Sequence, residues 1–214
     1  MWDRRKSGEQ VALYIRALVF EGDLRPGDRI PQDELAGNLG VSRLPVREAI
    51  IALEREGIVT TVPHRGAFIN PITRDTIRDQ YELYGLGFGL AVRRATERGS
   101  DSFVDELAAI NKKLVAADDP DEFSALNDDF FGLIVETAGS PRVQAALRVL
   151  SGLVPGNYFV QIPGAMDTQS RGTTAMVRAA RKQGGEAAAE ECLRMMRQQG
   201  TAVIDVLAAR GFFD

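Results

Sequence analysis

The chain has 214 residues, 44% hydrophobic and 26% charged, with a formal net charge of −4. That length suits two modest domains and that apolar content fills a core in each, which excludes a disordered chain. A single cysteine, Cys192, excludes a disulfide framework, no window approaches the ~18 apolar residues that span a bilayer, and a reducing cytoplasm is the expected compartment. The charge is uneven: residues 1–73 carry 10 basic and 10 acidic side chains, and residues 74–214 carry 16 and 20. All the excess acid therefore lies in the second part, and any nucleic-acid contact must come from a local basic patch in the first.

In chain order, the first predicted helix runs from about Ser7 to Glu21 and buries Val11, Leu13, Ile15, Leu18 and Val19, with Arg4, Arg5 and Lys6 ahead of it as a candidate basic arm. Leu24-Arg25-Pro26-Gly27 ends that unit. The next stretch, LAGNLGVSRLPVREAIIALEREGIVTTVPHRG from Leu35 to Gly66, reads as two short helices, a turn at Gly40-Val41 and a β-ribbon. Ser42 is placed to cap the second helix by accepting a bond from a first-turn N–H, and Pro45 falls where a missing N–H costs nothing. Arg43 and Arg47, four apart, then share one face at the N-terminal end beside Ser42 and Leu44, while Val46, Ala49, Ile50 and Leu53 turn inward. An Arg-x-x-x-Arg pair alone is most often a solvated helix face. Here it sits at a helix N-terminus, where free N–H groups suit a phosphate and an arginine can fork onto guanine. Glu56-Gly57 stops the helix, Ile58 to Val62 and Ala67 to Asn70 form the ribbon, and His64 and Arg65 occupy its tip.

Asn70-Pro71-Ile72-Thr73 reads as a linker whose Thr73 caps a new helix. Helices are predicted near 74–98, 102–117, 120–138, 141–154, 168–183 and 186–210, with a loop from Pro155 to Pro163 in which Tyr158 to Ile162 is the one strand-like run. Gly85, Gly87 and Gly89 mimic a phosphate loop, but they lie inside a helical pattern with no strand ahead, so close approach of a neighbouring helix is the expected role.

The string PGDRIPQDELAGNLGVSRLPVREAIIALEREGIVTTVPHRGAFI resembles the DNA-binding half of GntR-superfamily transcription regulators. The resemblance implies a winged helix-turn-helix over residues 1–72 and assigns operator contacts to Ser42, Arg43, Arg47, His64, Arg65 and Gly66; Leu44 and Pro45, in the same first turn, complete the candidate DNA-binding set. Some relatives use an arginine early in the helix before the turn; this chain has Asp33 there, and no contact is assigned to it. DQYELYGLGFGLAVRRATER and LNDDFFGLIVETAGSPRV resemble the FadR-like branch with its FCD-type effector domain, which implies an all-helical antiparallel bundle over 73–214 that dimerises.

That family usually holds a divalent metal on one aspartate and three histidines, with an arginine for an organic-acid effector. Matched by motif, the aspartate falls on Asn127 and the histidines on Phe131, near Thr173 and near Met196, while the arginine becomes Tyr84 and a nearby glutamate becomes Phe88. Phenylalanine offers no lone pair, methionine is a poor ligand for hard ions, and the only histidine, His64, lies in the wing. No metal and no cofactor are expected. Asp128 and Asp129 read as solvated surface acids.

Tyr84, Phe88, Asn127, Phe130, Phe131, Thr173 and Met196 then line either a filled core or an apolar effector pocket with Tyr84 as its polar handle. An enzyme would need His64 beside a nucleophile, and Cys192 has no histidine to activate it. The reading is a cytoplasmic, nucleoid-associated homodimeric repressor that binds an inverted-repeat DNA operator under the control of a small effector, with a dimerising scaffold lacking an effector as the alternative.

Overall fold

The computed structural model describes residues 4–100, 102–151 and 158–213, which are mainly helical. They form two compact units: residues up to 76 together with 207–213, and residues 77–151 together with 158–206. The expected boundary at residue 72/73 falls just ahead of the first of these limits, and the C-terminal segment groups with the first unit, where Arg210 donates to the Phe20 carbonyl (3.3 Å) and the Arg74 guanidinium lies 4.5 Å from the Phe213 ring centre.

The first unit opens with α1 (Arg4–Glu21), whose seam is Val11, Ala12, Ile15 and Val19. Leu13, expected in the core, is 49% exposed: two residues from Val11 it points about 200° away, and positions four apart take the seam instead. The predicted arm at Arg4, Arg5 and Lys6 lies within the first turns of α1, and its side chains fall outside the described residues. Helix α2 (Gln32–Asn38), a turn with Gly40 at positive φ, and α3 (Arg43–Arg55) follow. Val46, Ala49, Ile50 and Leu53 of α3 are buried, as their spacing predicts, and α3 packs on α1. Arg16 of α1 also pairs with Glu56, the C-cap of α3, at 2.5 Å, with both side chains nearly buried.

Strands β1 (Val59–Val62) and β2 (Gly66–Ile69) form an antiparallel hairpin with Val59 opposite Ile69 and Val62 opposite Gly66. Residues 27–30, which the sequence showed only as the end of a unit, pair along the other side of β2 through Gly27 N–H to Ile69 O, Ile69 N–H to Asp28 O and Ile30 N–H to Ala67 O. The wing is thus held on both edges of β2. Asn70 closes its base, donating to Gly57 O and accepting from the Thr60 hydroxyl. Thr73 caps α4 (Arg74–Arg98) as expected: its Oγ1 accepts from the Thr76 N–H at 3.1 Å, and the Thr76 hydroxyl accepts from the Thr73 N–H.

The second unit contains most of α4, then α5 (Phe103–Ala116), α6 (Pro120–Ala138), α7 (Pro141–Leu150), α8 (Tyr158–Gln161), α9 (Ala165–Gln183) and most of α10 (Gly185–Ala209). Asp119 and Ser140 cap α6 and α7, each followed by proline in the first turn. The strand-like run at Tyr158–Ile162 is a helical turn instead. A lone apolar run among helices has no neighbouring strand to supply a ladder; as a helical turn it sets Phe159 edge to face with Phe123, ring centres 4.8 Å apart. The glycine series does what its spacing implies. A Cβ at Gly85 would sit 2.9 Å from Leu193 Cδ1 and 3.1 Å from Met196 Cβ, and one at Gly89 would touch Ala189, so α4 and α10 meet along that face.

Deleting one partner of a nearly buried ion pair leaves an uncompensated charge. Glu56→Ala should therefore lower stability by about 3 kcal/mol in urea unfolding followed by circular dichroism, and the double replacement Arg16→Met with Glu56→Leu should recover most of that loss. Equal losses in the single and double variants would contradict this role.

Candidate nucleic-acid interface and effector region

The backbone of Ser42 is extended (φ −74°, ψ 169°), as an N-cap requires, but its side chain accepts no cap bond. This corrects the capping expectation. Ser42 is exposed, and without a cap bond its hydroxyl and the first-turn N–H groups of Arg43 and Leu44 do not satisfy one another, with the positive end of the helix dipole behind them. Arg43 and Arg47 stand exposed on this end, and Leu44 is 56% exposed beside them. Pro45 is buried, so its place is under the tip and not on it; it supports the first turn of α3. Asp33, in the first turn of α2, lies with Oδ1 2.7 Å from Arg43 Nε, a partner that the sequence did not reveal.

The wing tip is a tight turn closed by Arg65 N–H to Val62 O (3.0 Å), with Pro63 and His64 at its centre. His64 has φ 60°, the only non-glycine residue at positive φ among those described, in a conformation that costs a side-chain-bearing residue roughly 1–2 kcal/mol. Glycine there would be easier, and the turn holds the exposed His64 side chain at the wing tip. Gly66 has φ 106°, a backbone conformation that disfavours any side chain, and a Cβ there would also have to displace the Arg29 guanidinium, whose Nε would lie 2.8 Å away. Arg65 is exposed, with its guanidinium 5.9 Å from the Phe68 ring centre.

In the second unit Tyr84, Phe88, Phe130, Phe131 and Met196 gather in one cluster, while Asn127 and Thr173 each bond to Gln169. Tyr84, Phe88, Phe131 and Phe130 form a chain of edge-to-face rings with centres 4.8, 4.6 and 5.4 Å apart. Phe88, Phe130, Phe131 and Met196 are buried in the common core, and Tyr84 packs against it. Burial, with the nearby Asp128 carboxylate, pushes the Tyr84 phenol up to about 12, so it stays a neutral hydroxyl.

One turn along α6 from Phe131, Asn127 Oδ1 accepts from Gln169 Nε2 at 2.5 Å, and Gln169 Oε1 in turn accepts from Gln199 Nε2. Thr173 turns its hydroxyl back to the Gln169 carbonyl at 3.0 Å. Gln169 and Gln199 were not recognised from sequence. The available signal was two amides interrupting apolar helical patterns, which without the fold reads as surface.

A family-type metal does not fit this donor set. Phe131 and Met196 are packed in apolar core, the Asn127 amide is committed to Gln169, and no cluster of three His, Cys, Asp or Glu occurs among the described residues. Asp128 and Asp129 are exposed. Cys192 is fully buried and its thiol is raised to about 12 by burial, so it offers no thiolate nucleophile. Among the described residues, no helix is long and apolar enough to cross a membrane.

Residues 7–69 match the family described as bacterial regulatory proteins, gntR family, and residues 89–198 match the FCD domain. HTH-type transcriptional regulator Rv0043c of Mycobacterium tuberculosis is 33% identical over 162 residues, 76% of this chain and 66% of that protein. The Nta operon transcriptional regulator of Aminobacter aminovorans is 35% identical over 132 residues, 59% of this chain and 61% of its own length. The chain thus spans just under two thirds of the length of these curated relatives. Among solved structures, Escherichia coli McbR/YncC superposes with TM-score 0.64 at 20% identity, covering 99% of this chain and 100% of that one. A GntR-family regulator from Pseudomonas syringae pv. tomato gives 0.56 at 21%, covering 99% and 90%.

The amide chain yields a stability test. Gln169→Leu removes the central donor and acceptor and strands Asn127 and Gln199, which should cost about 1–3 kcal/mol in urea unfolding. A neutral or stabilising result would show that the chain contributes nothing to the core.

Proposed function

The chain belongs to the GntR family of bacterial regulatory proteins and carries an FCD domain, and from that premise we propose that it is a sequence-specific DNA-binding repressor. One observation carries the reading: the uncapped N-terminus of α3 brings an open Ser42, Arg43, Leu44 and Arg47 together at a single exposed end. Such a tip enters a major groove, where Arg47 and Arg43 fork onto guanine edges, Leu44 meets a thymine methyl group, and Ser42 with the free N–H groups takes a phosphate. His64 and Arg65, raised on the wing with Gly66 opening β2 behind them, follow the adjoining backbone or minor groove.

Residues 1–72 act as the reading head and 73–214 as the effector-binding and dimerising part. A two-fold homodimer makes the same contacts on two half-sites, so its operator is an inverted repeat in a cytoplasmic, nucleoid-associated setting. The effector is apolar, an acyl or aromatic compound: charged recognition groups of the FCD type are replaced by Tyr84, Phe88, Phe131 and Met196, and no metal anchors an acid. A second reading, a dimerising scaffold without an effector, draws support from the mutual packing of those same rings.

Duplexes enriched by the full-length protein from a random pool test the head. Arg47→Ala should lose about 1–3 kcal/mol of binding to the enriched duplex in gel shifts. Arg65→Ala should weaken all duplexes similarly and lower the salt slope by about 1. Wild-type affinity in both variants would overturn the assignment. A thermal-shift screen tests the other half, since a ligand of the folded state raises the melting midpoint. A rise with acyl or aromatic compounds supports the sensor; no shift from any of them favours the scaffold.

A further inference from the structure

We propose that Asp33 is a positioning residue that sets base preference by gripping one edge of the Arg43 guanidinium, an inference that rests on the DNA reading proposed above. Asp33 is in the first turn of α2 and Arg43 opens α3, so the helix-turn-helix crossing itself brings them together. Oδ1 lies 2.7 Å from Nε, and both side chains are 71% exposed. An ion pair that open contributes little to folding, because solvent screens it and two side chains must be ordered to make it. Its consequences fall on the surface where Arg43 would meet a base.

A guanidinium carries five N–H donors in a rigid planar fork. A carboxylate oxygen 2.7 Å from Nε holds the guanidinium on the Asp33 side by charge and restricts the positions from which its terminal Nη groups can reach a base. An arginine otherwise loses much side-chain freedom when it docks on guanine; here the nearby carboxylate biases Arg43 toward one side before binding, which favours the base edge within reach from there.

The carboxylate also acts against wrong partners. It repels phosphate oxygens and acceptor-rich base edges whenever Arg43 is not interposed, and it neutralises one cation of a patch that otherwise attracts any duplex. The first unit has no net charge to spare, so the loss of one free cation matters to non-specific binding. Asp33 thus trades general affinity for discrimination at the position that Arg43 reads.

The test uses full-length protein and duplexes enriched from a random pool. Wild type, Asp33→Ala, Arg43→Ala and the double variant are titrated, at one salt concentration, against the enriched duplex, its single-base variants and an unrelated duplex. Asp33→Ala should bind the unrelated duplex several-fold more tightly, as expected for one added net positive charge. It should also lose roughly tenfold of discrimination at the base pairs whose preference Arg43→Ala abolishes, and none elsewhere. In the Arg43→Ala background the same change should alter discrimination no further, a coupling that a purely structural effect would not produce. Unchanged preference in Asp33→Ala, or equal flattening in both backgrounds, overturns the inference while leaving the DNA reading in place. If wild type enriches no sequence, the DNA reading itself fails; if it does but Arg43→Ala changes no preference, Asp33 has nothing to position and this inference alone falls.

Discussion

The burial of one face of α3 governs everything the other face can do. Val46, Ala49, Ile50 and Leu53 are removed from water in the core that α1 helps to form, and a helix repeats every 3.6 residues, so the remaining face and its N-terminal end have one orientation. The Arg16–Glu56 pair fixes the far end of α3 against α1, and Pro45 lies buried under its first turn. The wing inherits this frame. Ile58 N–H closes on Leu53 O and the Glu54 carboxylate accepts from Thr61 N–H, so β1 leaves α3 in a set direction and β2 is then held between β1 and residues 27–30. A repacked α3 would misplace the arginines and the wing together.

The helical unit obeys a different constraint, that buried polar groups need partners. This unit brings apolar rings together on one side and a run of amides on the other. Asn127, Gln169 and Gln199 satisfy one another in sequence, and Tyr84 keeps its proton through burial. Rings and amides of this kind match apolar surface with a few fixed hydrogen bonds. That chemistry underlies the proposal of an apolar effector, and equally the packing that a scaffold would need.

What was legible in the sequence is what local chemistry decides. The inward face of α3, the Thr73 cap, the prolines that open α6 and α7 and the small residues along α4 all follow from spacing and backbone preference, and each holds in the structure. Features set by tertiary neighbours were not legible. Leu13 looked like core until the α1 seam showed which positions four apart take it, and Tyr158–Gln161 looked like a strand until its surroundings supplied no ladder. The pairing of residues 27–30 with β2, the grip of Asp33 on Arg43 and the links between Gln169, Asn127 and Gln199 join residues far apart or across a turn, and no periodicity encodes them. Ser42 stands between the two groups: its place at the N-cap was readable, whereas the free hydroxyl was not.

The central claim is that the open N-terminus of α3 and the wing tip form one DNA-reading surface. Hydrogen–deuterium exchange tests it directly, because the first-turn N–H groups of α3 have no intrahelical acceptor and should exchange fast in the free protein. On adding an enriched duplex of about 30 base pairs, enough for two half-sites a helical turn apart, exchange should slow over residues 42–47 and 63–66 together. Unchanged exchange in both segments at saturating duplex, with protection confined to residues 77–206, would contradict the account.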